Sequence, residues 1–134
     1  MPGSAFVANF TGAVVLTGIA RVSPDGLTIV ALDGGGEVSA TATGPNTGPV
    51  VVSVYPWEIV LQALDTAVSS SARNHLPARV VSVTTVGNRV RVGLQASQPL
   101  VAEITQAAAR DLGLTVGSHV IASWKATATR LTES

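Results

Sequence analysis

Gly12-Ala13-Val14-Val15, Ile29-Val30-Ala31-Leu32 and Ser53-Val54-Tyr55-Pro56 return later in the chain, in the same order, as Ala78-Arg79-Val80-Val81, Arg91-Val92-Gly93-Leu94 and Ser123-Trp124-Lys125-Ala126. Segments that recur in order at a near-fixed spacing mark an internal repeat. The offsets of the three matches are 66, 62 and 70 residues. They drift because the loop at Ser23 to Gly26 is longer in the first copy and a helix occurs only in the second. Any two Val-rich segments can be aligned with a few gaps, so the preserved order of elements carries more weight than the residue identities. The two copies are expected at residues 5–66 and 71–132, joined by the polar linker Asp65 to Ser71 with its three serines.

Within each copy, Val, Ile and Thr cluster in runs of about five to eight residues between turn signals. Those signals include Pro24-Asp25-Gly26, Asp33-Gly34-Gly35-Gly36, Gly44-Pro45-Asn46 and Gly87-Asn88. Such frequent breaks leave no room for long helices. Strands are expected at Gly12 to Val22, Leu27 to Leu32, Glu37 to Thr43, Val50 to Tyr55, Ala78 to Val86, Arg89 to Ala96, Leu100 to Thr105 and His119 to Lys125. One helix is expected at Gln106 to Leu112, with Thr105 as N-cap and Gly113 as the left-handed terminator. Trp57 to Leu64 reads equally as helix or strand. Five short strands per copy point to an all-β fold of two tandem, OB-like small β-barrels, with one short helix in the second repeat.

The composition sets the outer bounds. Of 134 residues, 46% are hydrophobic and 12% charged, enough for a packed core and too apolar for disorder. Every apolar run is interrupted well short of the roughly 18 residues of a membrane-spanning helix. Met1-Pro2-Gly3-Ser4 lacks the basic and apolar regions of an export signal. There is no cysteine, which excludes disulfides, zinc thiolates and thiol catalysis. Cytoplasmic placement is the expectation. The net charge is zero, yet unevenly distributed: residues 1–71 hold one basic and five acidic residues, and residues 72–134 hold seven basic and three acidic. An anion is therefore expected to be held by the second half.

The second copy begins with Ser71-Ala72-Arg73-Asn74, continues through Val80-Val81-Ser82-Val83, Leu112-Gly113-Leu114 and Val116-Gly117-Ser118, and ends in Lys125-Ala126-Thr127. This series resembles the Mop domain, the molybdate-binding member of the TOBE group, over about Ser71 to Leu131. The first copy, with Gly44-Pro45 and Val52 to Ile59, resembles the TOBE segment at the C-terminus of ATP-binding subunits of molybdate importers. The resemblance implies a ligand, molybdate or tungstate, held where the turn of one barrel meets the Lys-Ala-Thr strand of another. Carried over residue by residue, the oxyanion ligands are Ser71, Ala72, Arg73, Asn74, Ser123, Lys125, Ala126 and Thr127. It also implies homodimerisation and attachment to an ABC transporter ATPase subunit as a feedback sensor. The same unit resembles free-standing molybdate stores, the effector half of molybdate-responsive regulators, and scaffold domains of transporters for other solutes.

The residue chemistry agrees with an oxyanion. Molybdate is a tetrahedral dianion, so its site needs convergent N–H and hydroxyl donors with limited positive charge and no metal-ligating cluster. A turn at Ser71 to Asn74 is expected to aim backbone N–H groups at one point. On an extended strand Ser123, Lys125 and Thr127 would share a face. Without the resemblance, Lys125 reads as a solvated edge charge, and Trp57 and Trp124 as core or interface side chains. His75 and His119 have no carboxylate or cysteine companion for a metal. The first copy has Tyr55-Pro56 where the second has Lys125-Ala126, and Ala5-Phe6-Val7-Ala8 where the second has Ser71 to Asn74, so it is expected to be a structural or dimerising partner that lends at most backbone donors to a pocket. No nucleophile–base pair or phosphate loop argues for catalysis: Asp33 to Gly36 lacks the Lys-Ser/Thr of a P-loop. Aromatic residues at 4% offer little stacking surface for nucleic acid, and no direct membrane insertion is expected.

Overall fold

The structure is a computed structural model that describes residues 12–41, 44–64 and 73–134. The first copy supplies β1 (Val14–Val22), β2 (Thr28–Leu32), β3 (Glu37–Ala40), β4 (Gly48–Val54), a 3-10 turn (Pro56–Glu58) and β5 (Val60–Ala63). The second repeats that order with β6 (Arg73–Val86), β7 (Arg89–Gln95), β8 (Pro99–Thr105), α1 (Gln106–Leu112), β9 (His119–Lys125), a second 3-10 turn (Ala126–Ala128) and β10 (Arg130–Glu133). The fold is all-β and OB-like, as expected. The helix falls where the sequence put it: Thr105 Oγ1 accepts the Ala108 N–H at 3.1 Å, and Gly113 ends the helix at φ 59°, ψ 40°. The ambiguous stretch after Trp57 resolves into the 3-10 turn and β5. The linker Asp65 to Ser71 lies outside the described residues.

The two sheets are not the two sequence copies. One sheet has the order β10-β4-β1-β2-β3 and the other β5-β9-β6-β7-β8. Each copy keeps four strands together and sends its fifth to the other sheet. β10 pairs antiparallel with β4, setting Leu131 opposite Val52, and β5 pairs with β9, setting Leu61 opposite Ala122. The exchange links the two OB-like copies through their last strands. The last strand follows its 3-10 turn directly, and the turn points it at the neighbouring sheet.

Strand alternation explains the core. Thr28, Val30 and Leu32 of β2, Val90, Val92 and Leu94 of β7, and Leu100, Ala102 and Ile104 of β8 are buried at every second position. β9 departs from this: Val120 to Trp124 are all buried, so side chains on both of its faces are covered. Buried residues from both sheets form one contiguous cluster. β6 changes register between Val80 and Ser82, and Gly93 sits opposite the irregularity. A Cβ at Gly93 would meet the Ser82 hydroxyl, which would have to rotate away to admit a larger residue.

Two side-chain amides tie the sheets together by standing in for backbone. Gln98 accepts the Thr17 N–H and donates to the Thr17 and Asp33 carbonyls, each at 2.9 Å. Asn74 accepts the Ser39 N–H at 2.7 Å and donates to the Ser39 carbonyl at 3.0 Å. In the β1–β2 turn, Asp25 accepts from the Ser23 hydroxyl and the Leu27 N–H, which holds its carboxyl below the usual range.

Because β10 completes the sheet of the other copy, Leu131→Ala should lower stability by about 2–5 kcal/mol. Far-ultraviolet circular dichroism and Trp124 fluorescence should report one coincident transition in urea. Two separated transitions would show that the sheets unfold independently.

Candidate functional site

The register of the strands fixes how the copies correspond. Val54 of β4 pairs with Val14 of β1 as Trp124 of β9 pairs with Asn74 of β6. From β4 onward the copies differ by 70 residues, which makes Tyr55 the counterpart of Lys125, as the sequence indicated. On the first strand the difference is 60. The match of Gly12–Val15 to Ala78–Val81 is therefore shifted by six residues, and Asn74 corresponds to Val14; Ala5 to Ala8, expected opposite Ser71 to Asn74, lie outside the described residues. A slide by an even number keeps every inward residue inward, so a Val-rich strand hides its register from alignment.

The expected site residues fall into different surroundings. Ser71 and Ala72 lie outside the described residues. Arg73 and Asn74 do not form a turn. They open β6, with Arg73 opposite Lys125 and Asn74 opposite Trp124. Lys125 closes β9 and is exposed; among the described residues its ammonium has no hydrogen-bond or ion-pair partner. Ser123 is fully buried, its hydroxyl 2.9 Å from His75 Nδ1. Ala126 is buried and Thr127 exposed, both in the second 3-10 turn. The expected row of Ser123, Lys125 and Thr127 thus breaks at Lys125, because strand alternation stops where the 3-10 turn begins.

A buried polar hub that the sequence did not reveal lies beneath Lys125. Thr129 Oγ1 accepts from Trp124 Nε1 at 3.0 Å and from Asn74 Nδ2 at 3.2 Å, and donates to the Lys125 carbonyl at 3.0 Å. One hydroxyl thereby satisfies two buried donors and fixes the backbone of Lys125. In the first copy the corresponding places are held by Ile59, Val54 and Val14, all buried. Thr129 and Thr127 look alike in sequence, and only burial separates them.

Beside Lys125 is a shallow pocket of about 220 Å³, lined by Glu58, Val60, Trp124, Lys125 and Ala128. Glu58 Oε1 accepts from the Tyr55 N–H at 3.2 Å and from Arg130 Nη1 at 3.3 Å. The Arg130 guanidinium lies 4.5 Å from the Tyr55 ring centroid, and that ring stacks on Trp57 at 4.7 Å. A larger cleft of about 430 Å³, at Val14, Thr17, Pro56, Arg91 and Leu100, contains none of the expected ligands. Among the described residues no three His, Cys, Asp or Glu gather as a metal site, and no helix is long and apolar enough to cross a membrane.

Residues 70–131 match the TOBE domain. The matched TOBE segment is the second copy, from the start of β6 to β10, where the sequence resemblance placed it. The chain also superposes on a solved structure described as the cytoplasmic molybdate-binding protein ModG with molybdate bound. The TM-score is 0.80 at 23% identity, over 90% of this chain and 96% of that one. The likeness establishes the shared fold of both copies, including the half outside the TOBE match. No curated protein matches the chain.

Thr129→Val should cost about 1–3 kcal/mol, since Trp124 Nε1 loses its acceptor inside the core and Asn74 Nδ2 keeps only the Ser39 carbonyl. Thr127→Val, two residues away on the surface, should stay within about 0.5 kcal/mol of the wild type. Urea midpoints for the pair provide the comparison, and equal shifts would deny the hub its role.

Proposed function

We propose that this protein binds a tetrahedral oxyanion of the molybdate and tungstate class, with Lys125 as its charged donor, and that its role is binding without catalysis. The observation that carries this reading is the exposed Lys125 ammonium, without a hydrogen-bond or ion-pair partner among the described residues, beside a pocket that Trp124, Lys125 and Ala128 of the TOBE segment form with Glu58 and Val60 of the first copy. The Thr129 hub fixes the backbone that carries this cation, and the carboxylate lining the same pocket, Glu58, is ion-paired with Arg130, so the ammonium remains available to an anion. The fold shared with a molybdate-binding protein supports the same reading.

The proposed ligands are Lys125, Ala126 and Thr127 at the end of β9, with Ser71, Ala72 and Arg73 from the stretch that runs into the partner position of Lys125. Asn74 and Ser123 support the site from below: the amide of Asn74 is committed to Ser39 and Thr129, and the hydroxyl of Ser123 to His75. The pocket is shallow, so a second copy of the chain completing it, in a homodimer, belongs to the proposal.

Two settings suit such a domain. In a transporter ATPase subunit, anion binding would favour one arrangement of two subunits and feed back on import, a coupling reciprocal in binding energy. As a free-standing cytoplasmic protein it would store or buffer the anion. The fold shared with ModG suits both settings.

Titration calorimetry with molybdate, tungstate, sulfate and phosphate tests the reading. The two larger oxyanions should bind and the smaller pair bind weakly. Lys125→Ala should weaken molybdate roughly 10- to 150-fold, the loss expected on removing a charged hydrogen-bond donor. Equal binding of all four anions, or of none, would reduce the domain to a scaffold.

A further inference from the structure

The pocket at Lys125 and its counterpart in the first copy share one backbone plan and differ in what fills them. Seventy residues before Lys125 stands Tyr55, and seventy residues after Val60 stands Arg130. In the first copy's version, the Arg130 guanidinium covers the Tyr55 ring, which rests on Trp57. In the second copy's version the covering position is only Val60, and the space beside Lys125 stays open.

Glu58 belongs to both places. It lines the open pocket, and its carboxylate is ion-paired with Arg130. A carboxylate in the wall of a pocket that receives a dianion repels the ligand unless its charge is cancelled. Among the described residues, Arg130 is its ion-pair partner. With Arg130 present the three charges Lys125, Glu58 and Arg130 sum to one positive; without it they sum to zero.

We propose that Arg130 is a positioning and specificity residue of the oxyanion site: by pairing with Glu58 it gives the Lys125 pocket a net positive field and favours a dianion over a monoanion of the same shape. It acts through Glu58 and needs no contact with the ligand. This rests on the oxyanion-binding role proposed above.

Calorimetry with molybdate, a dianion, and perrhenate, a tetrahedral monoanion, separates field from structure. The chains compared are wild type, Arg130→Met, Glu58→Gln and the double variant. Arg130→Met should weaken molybdate about ten-fold at low salt and perrhenate only about three-fold, since the field acts on ligand charge. Adding Glu58→Gln should return molybdate to within about three-fold of wild type, because the uncancelled carboxylate is gone. Arg130 is half-exposed, and melting curves would confirm that each variant is folded. Unchanged molybdate binding in Arg130→Met overturns the proposal, as does equal weakening of both anions with no rescue by Glu58→Gln. Molybdate binding that is lost in Lys125→Ala and unmoved by Arg130→Met overturns this inference alone. A wild-type chain that binds neither anion overturns the oxyanion reading and this inference with it.

Discussion

The backbone ladders that carry β10 into the sheet of β4, and β5 into the sheet of β9, make each copy depend on the other. Removing either final strand would leave a row of unpaired N–H and C=O groups on β4 or β9, both of which lie inside the core. The buried side chains Leu131 and Leu61 enter with those strands, so hydrogen bonding and apolar burial enforce the same exchange. The contiguous core and the amide clasps of Gln98 and Asn74 act in the same direction. The 3-10 turns matter because they direct each last strand across, and Lys125 is the N-cap of the second.

From one plan the two copies build chemically different corners. Where the first copy packs Val14, Val54 and Ile59, the second buries Asn74, Trp124 and Thr129 in mutual hydrogen bonds. Buried polar groups are tolerated only when fully satisfied, and here no buried side-chain nitrogen or oxygen among the described residues lacks a partner. The result is a fixed backbone at Lys125 with the ammonium left to solvent. A binding residue on a stiff strand end, over a locked hub, holds its place better than one on a loop.

The charge division along the sequence does not survive as a division in space. Glu58 of the acidic half lines the pocket of Lys125, and Arg130 of the basic half lies over Tyr55. Strand exchange is the cause, since β10 carries Arg130 into the first copy's sheet. The surroundings of Lys125 are therefore built by residues from both halves.

The sequence by itself determined the all-β class, the repeat, most strand positions, the helix with its Thr105 and Gly113 caps, and the correspondence of Tyr55 with Lys125. Those features follow from local rules: β-branched runs, turn residues, capping groups and a preserved order. The tertiary structure decided the register of the first strand, the exchange of β5 and β10, the hub at Thr129, the burial of Ser123 and the placing of Thr127 in the 3-10 turn. A period-two pattern reads the same after any even shift, a short amphipathic strand does not name its neighbour, and a threonine's burial depends on what packs over it. Each of these is settled by contacts between residues far apart in the chain, where a local pattern carries no information.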